Sequence, residues 1–169
     1  LRNRIKIIQG GTSAGKTFGI LPILISKAAK RPLMEISVVA ESIPHLRRGA
    51  LKDFLSMMKS GFRYVDKRFN KSLRYDFDNG SYIEFFSADD SSKLRGARRD
   101  ILYINECNNI EFEAYNELAI RTKREIYLDF NPANEFWVHT ELKNEPDTDF
   151  VVLTYKDNEA LDKGIVREI

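Results

Sequence analysis

Residues 5–20 read IKIIQGGTSAGKTFGI, and this stretch decides the fold. Residues 5–9 have the length and apolar character of a buried strand. Gly10 and Gly11 interrupt the run, and after Gly15 an apolar pattern resumes at helical spacing from Lys16 onward. A strand that enters a helix through a glycine-rich loop leaves several backbone N–H groups at the helix start without partners, and they converge on any anion placed there. Gly10, four intervening residues, Gly15, Lys16 and Thr17 satisfy the pattern GxxxxGK[ST] in the strand-then-helix context it requires. In such a loop the backbone of Gly10, Gly11, Thr12, Ser13, Ala14 and Gly15 curls around phosphate oxygens. Lys16 reaches the β- and γ-phosphates of a nucleotide, and the Thr17 hydroxyl ligates Mg²⁺. Lys16 is expected to face solvent when no nucleotide is bound. The alternative is an ordinary strand-to-helix turn, but with glycine at about 7% of average usage the four fixed positions coincide by chance in fewer than roughly one such chain in a hundred.

At 169 residues and 43% hydrophobic content the chain can bury one substantial core, so a single domain spanning 1–169 is expected. It opens on Leu1 rather than Met, which suggests a piece of a longer polypeptide. The net charge is only +2 although 31% of residues are charged, so basic groups must be read by position rather than in sum. A single cysteine, Cys107, excludes an internal disulfide, and together with His45 and His139 it shows no metal-ligand spacing. The longest apolar segment, GILPILI at 19–25, is far short of the roughly 20 residues that span a bilayer. A soluble, intracellular, zinc-free protein is expected.

Strand-length apolar runs recur at 5–9, 35–41, 101–105, 125–130 and 150–155, alternating with helical patterns at 16–30, 44–59 and 112–121. Ser42 reads as the cap of the second helix, Gly61 as its stop, and Pro22 as a bend in the first. The alternation predicts an α/β sandwich of three layers around a mostly parallel sheet. One departure is SLRYDFDNGSYIEFFS at 72–87, where two alternating segments flank Asp78, Asn79 and Gly80 and predict an antiparallel hairpin insertion. The polar segment SADDSSKLRGARRD at 87–100 is the one long loop.

Phosphoryl transfer needs a carboxylate near the metal and a group that orients the attacking water. DILYINEC at 100–107 is an apolar strand ending in Asn105 and Glu106, where a Walker B strand delivers its acids. Asn105 replaces the expected aspartate. It can accept a hydrogen bond in the metal shell but brings no charge, so on this reading an aspartate there tightens the Mg²⁺ dependence and lowers the Mg²⁺ concentration at half-maximal hydrolysis. Glu106 is the candidate for polarising water, with a solvated glutamate at a strand end as the alternative. Cys107 reads as a small buried hydrophobe. In YLDFNPANEFW at 127–137, Pro132 biases Asn131 toward extended backbone, so the strand is expected to run to Asn131. That places its amide at the carboxyl edge of the sheet, where open α/β sheets bind ligands. Asn131 is a candidate sensor of the γ-phosphate, with an Asx turn as the alternative.

Taken in order, QGGTSAGKT, KLRGARRDILYINEC, DFNPANEFWVHTEL and DFVVLTYKDNEAL resemble the motifs of the ATPase domain of phage large terminases. The resemblance covers nearly the whole chain. It implies a P-loop NTPase fold and Mg²⁺-dependent ATP hydrolysis that drives double-stranded DNA into a procapsid in the host cytoplasm. It also implies a nuclease domain elsewhere in a longer chain, and a portal and a small terminase subunit as partners. A ring of copies is implied during packaging, with a monomer in isolation and no membrane. Residues 10–17 match Walker A and 101–106 match Walker B with its catalytic glutamate. Asn131 and Pro132 match the motif that couples hydrolysis to movement, and TYKDN at 154–158 stands where such domains lead toward the nuclease.

Two positions depart from that family's pattern: Asn105, and Thr12 where many terminases carry an arginine. A guanidinium that neutralises transition-state charge must then come from elsewhere, and Arg95, Arg98 and Arg99 before the Walker B strand are candidates. Arg95, beside Gly96, is the choice, acting in its own subunit or in a neighbour's. Arg47, Arg48, Lys67, Arg68 and the 93–99 segment are candidates for DNA phosphates, or merely a solubilising surface. A helicase-like translocase and a degenerate nucleotide-binding module without turnover are the rival readings.

Overall fold

The computed structural model describes residues 1–11, 15–62, 64–132 and 134–154. The loop residues Thr12, Ser13 and Ala14, the end of the predicted last strand at Tyr155, and most of the TYKDN segment lie outside the described residues.

Eight strands form one sheet: β1 (Ile5–Gly10), β2 (Glu35–Ala40), β3 (Phe69–Asn70), β4 (Arg74–Asp76), β5 (Tyr82–Ser87), β6 (Arg99–Ile104), β7 (Thr122–Phe130) and β8 (Thr148–Leu153). Their order across the sheet is β3-β4-β5-β2-β6-β7-β1-β8. The six strands from β5 to β8 in that order are parallel, and only the β3-β4-β5 end is antiparallel. The sheet therefore has the predicted parallel centre. The hairpin is not a separate excursion, because its second strand, β5, is itself a parallel neighbour of β2. Its turn carries Gly80 at φ +84°, where a side chain would be strained and would meet Leu33 Cδ2 at 2.7 Å. The adjacent Asn79 amide donates to Ala28 O at 2.8 Å and Arg31 O at 3.1 Å, so the hairpin turn caps the end of the first helix.

Helices α1 (Gly15–Lys30), α2 (Ile43–Arg48) and α3 (Ala50–Gly61) cover one face. There Leu21, Leu24 and Ile25 of α1 and Phe54 and Met58 of α3 pack on Ile36, Val38, Ile101 and Tyr103. Helix α5 (Phe112–Ala119) and a π turn at Val138–Leu142 cover the other face, against Val39, Leu102, Ile104, Leu128 and Phe130. Adjacent residues of β6 thus enter opposite cores, Ile101 and Tyr103 on one face and Leu102 and Ile104 on the other, which is why residues 101–104 are apolar without a break. A short helix, α4 (Ser91–Leu94), lies inside the segment read as a loop.

The single helix predicted over 44–59 is two. Gly49, at φ −111° and ψ −110°, ends α2 by donating its N–H to His45 O at 3.0 Å, and its own carbonyl accepts from Asp53 N at 3.1 Å to begin α3. Ser42 caps α2 as expected, accepting from His45 N at 3.3 Å. β7 begins three residues before its predicted start and ends at Phe130, so Asn131 is the first residue beyond the strand.

Candidate active site

Strand order assembles the site. The glycine loop leaves β1 at the carboxyl edge, Asn105 and Glu106 leave β6 at the same edge, and β7 lies between these two strands. Register does the rest. Ile8 of β1 pairs with Asp129 and Ile104 of β6 pairs with Leu128, so Asp129 stands between the loop strand and Asn105. The β2–α2 connection joins them from the far side of β6. The result is a cleft of about 380 Å³ with Lys16, Thr17, Asn105, Glu106 and Asn131 among its lining residues.

Lys16 is only 7% exposed, which corrects the expectation that it faces solvent. Its ammonium donates to Gly10 O at 2.8 Å, Gly11 O at 3.0 Å and Asn131 Oδ1 at 2.6 Å. These three oxygens satisfy all three of its protons, as phosphate oxygens would. Burial lowers its pKa, opposed by the carboxylates of Asp129 and Glu106. A side chain at Gly10 would crowd the lysine stem at 3.3 Å, so the loop needs glycine there for close approach. The Thr17 side chain shares a hydrogen bond with the Tyr103 hydroxyl.

Glu106 has φ 53° and ψ 58°, left-handed backbone that a non-glycine residue rarely takes. Its N–H donates to Asp129 Oδ1 at 2.6 Å, and its carboxylate reaches the cleft, where it pairs with the His45 imidazole. Asn105 is 5% exposed, and its amide NH₂ donates to both oxygens of Asp129, at 3.2 and 3.3 Å, and to Tyr103 Oη. Asp129 also accepts from Tyr103 Oη at 3.0 Å. Burial pushes the Asp129 carboxyl up to about 6, against the donors Glu106 N–H, Tyr103 and Asn105 and the charge of Lys16. Burial likewise raises Tyr103, which keeps it a donor, and Cys107, whose thiol is fully buried and behaves as the small hydrophobe expected.

Besides Gly49, four of the lining residues were not read from the sequence as nucleotide-site residues: His45, Arg48, Asp53 and Asp129. Asp129 alone left a trace, a charge inside the otherwise apolar run IYLDF, since a carboxylate in a strand buried on both faces needs dedicated partners. The other three sit on α2 and α3, and only the packing of those helices beside β6 brings them to the cleft. Arg48, read as a DNA candidate, stands exposed at the rim beside the Gly49 break with no hydrogen-bond or ion-pair partner among the described residues. Asp53 is raised by burial, with Lys52 opposing. Of the loop arginines, Arg95 and Arg98 are exposed and neither lines the cleft of its own chain. Arg99 is 2% exposed and donates to Ser37 Oγ at 2.9 Å and Leu118 O at 3.0 Å, which holds the start of β6 and removes it from the candidates. Among the described residues no helix is long and apolar enough to cross a membrane.

The fold has solved counterparts. The large terminase of a thermophilic bacteriophage superposes with a TM-score of 0.79 at 21% identity, covering 99% of this chain and 44% of that one. The large terminase ATPase domain of Thermus phage P74-26 gives 0.67 at 15% identity, covering 99% of this chain and 82% of that domain. The Phi-28 gp11 DNA packaging motor gives 0.56 at 11% identity, covering 90% of this chain and 57% of that one. At these identities the likeness is one of fold. No curated protein matches. The family model described as phage terminase large subunit matches residues 2–169, nearly the whole chain, and with the P-loop sandwich and its cleft in place the chain belongs to that family.

Proposed function

We propose that this chain is the ATPase domain of a larger packaging protein with a nuclease domain, and that it hydrolyses ATP with Mg²⁺ to drive double-stranded DNA into a procapsid. The observation that carries the reading is the convergence of Lys16, Thr17, Asn105, Glu106 and Asn131 on one cleft at the carboxyl edge of the sheet. Structures of the thermophilic-phage terminase in complex with ADP and with ATP-gamma-S support nucleotide as the ligand. The family supports a portal and a small terminase subunit as partners, and action in the host cytoplasm at the procapsid.

In this mechanism the triphosphate replaces the three oxygens that Lys16 now holds. Release of Asn131 Oδ1 from the ammonium reports that the γ-phosphate has arrived, because the contact is 2.6 Å and direct. Glu106 exchanges its His45 contact for the attacking water and accepts its proton. The cleft offers hard oxygen donors, the Thr17 hydroxyl and the Asn105 amide oxygen beside the carboxylates of Glu106 and Asp129, which suits Mg²⁺ held jointly with phosphates. Among the described residues no group of three or more His, Cys, Asp and Glu is placed to hold a metal ion. Bound there, Mg²⁺ would offset charge on the phosphates. Arg48 at the rim can serve its own site, whereas Arg95 can serve only the site of a neighbouring subunit in a ring.

The test is ATP binding and steady-state hydrolysis, with and without Mg²⁺, for the wild type and Lys16→Ala. Loss of binding in the variant is expected, with a stability cost of about 1–3 kcal/mol because Asn131 and two carbonyls lose their donor. Normal affinity and turnover in Lys16→Ala would show that the cleft is not the nucleotide site.

A further inference from the structure

A nucleotide-bound Mg²⁺ in a P-loop site is ordinarily faced by a carboxylate from the end of the Walker B strand. Here the first residue past that strand is the neutral Asn105. The neighbouring strand supplies a carboxylate beside it: Asp129 of β7, 1% exposed, on the face of the sheet that α1 covers, and a lining residue of the same cleft.

Hydrogen bonding dictates how the two side chains share the work. An ionised carboxylate only accepts, so Asn105 must turn its NH₂ to Asp129 and its Oδ1 the other way. That oxygen lies beside Gly49, 3.3 Å from where a side-chain carbon on Gly49 would stand, at the wall of the cleft. Asp129 in turn accepts from the Glu106 backbone at 2.6 Å and from Tyr103 Oη, and Tyr103 is bonded to Thr17. Asp129 is therefore joined, directly or through one hydroxyl, to the proposed metal ligands Thr17 and Asn105 and to the proposed base Glu106.

On the nucleotide-site reading above, we propose that the site's acidic charge has been transposed from β6 to β7. Asp129 carries the negative charge toward the nucleotide-bound cation, and Asn105 is the neutral partner that presents its oxygen to the cleft. Asp129 is a positioning residue in this scheme, acting through Asn105, Tyr103 and Glu106. It follows that an aspartate at 105 does not by itself improve the metal site. Two carboxylates in contact cannot both stay ionised, so one of them takes up a proton.

The test is a charge swap read by binding rather than turnover. The affinity of a fluorescent ATP analogue is measured across a series of free Mg²⁺ concentrations for the wild type, Asp129→Asn, Asn105→Asp and the double variant, with thermal melts confirming that each is folded. Asp129→Asn should reduce the tightening by Mg²⁺ by about tenfold, and Mg²⁺-free binding, relieved of a carboxylate near the phosphates, should not weaken. Asn105→Asp should show no gain, and the double variant should recover most of the wild-type Mg²⁺ effect. Full Mg²⁺ tightening in Asp129→Asn, or a double variant no better than that single variant, overturns the transposition. If Asp129 only supports Lys16 or the fold, Mg²⁺-free binding falls as well and the swap does not rescue it, which also overturns the proposal. Failure of the wild type to bind the analogue at all would instead defeat the nucleotide-site reading itself.

Discussion

Glu106 shows what the site asks of one residue. Left-handed backbone costs an L-residue roughly 1–2 kcal/mol, and such strain persists where surrounding contacts over-determine it. Here the 2.6 Å bond from its N–H to the buried Asp129 and the His45 contact do so. The strained turn lifts the carboxylate off the strand axis into the cleft rather than into either core. Glu106→Gln keeps the shape and the backbone bond but cannot take a proton. It should retain nucleotide affinity and lose on the order of 10²-fold or more in turnover, measured by steady-state hydrolysis beside equilibrium binding. Equal losses in both would mark a metal-binding or structural role instead.

Between elements, the opposite edge of the sheet is held by a charge cluster. Glu125 of β7 pairs with Lys27 of α1 at 2.5 Å and with Lys6 of β1 at 3.3 Å, and accepts from Tyr127 Oη at 2.7 Å. Burial would raise the Glu125 carboxyl, but the hydrogen bonds from Lys27 and Tyr127 and the two ammonium charges overcome it and hold it at about 2. A folded-state value below the ordinary one of about 4.3 means stability that is present above pH ~4.3 and lost as pH falls toward 2. Glu125→Gln should therefore cost about 1–2 kcal/mol at pH 7, with the gap to wild type closing as denaturant melts are repeated down to pH 3. A gap independent of pH would mean that packing, not charge, joins α1 to the sheet. At the same scale, the break at Gly49 turns one expected helix into two and leaves Arg48 and His45 facing the site.

At the scale of the molecule, the proposed role of Arg95 makes dependence on assembly a testable expectation. Arg95 is exposed and outside its own cleft, so its proposed role requires a second subunit. Dilute chain should bind ATP yet hydrolyse it slowly, with turnover per chain rising with protein concentration. Mixing Arg95→Ala chains with Glu106→Gln chains should restore activity that neither has alone, since each repairs the other's defect across an interface. Full activity in dilute chain, unaffected by Arg95→Ala, would rule out that role and leave the rim residue Arg48 as the arginine of the site.

What the sequence determined by itself was local. The strand-loop-helix at 5–30, the Asp78-Asn79-Gly80 hairpin and the apolar strands can be read because glycine, proline and side-chain periodicity act over a few residues. The carboxyl ends of β1, β2, β6 and β7 were legible to within a residue, and with them the candidates Lys16, Thr17, Asn105, Glu106 and Asn131. Only the tertiary structure decided which strand lies beside which, and so which side chains meet. Periodicity tells which face of a strand is buried but not its neighbour, which long-range packing selects. That is why the partnership of Asp129 with Asn105, 24 residues apart, and of Lys16 with Asn131, 115 apart, appears only once β7 lies between β6 and β1.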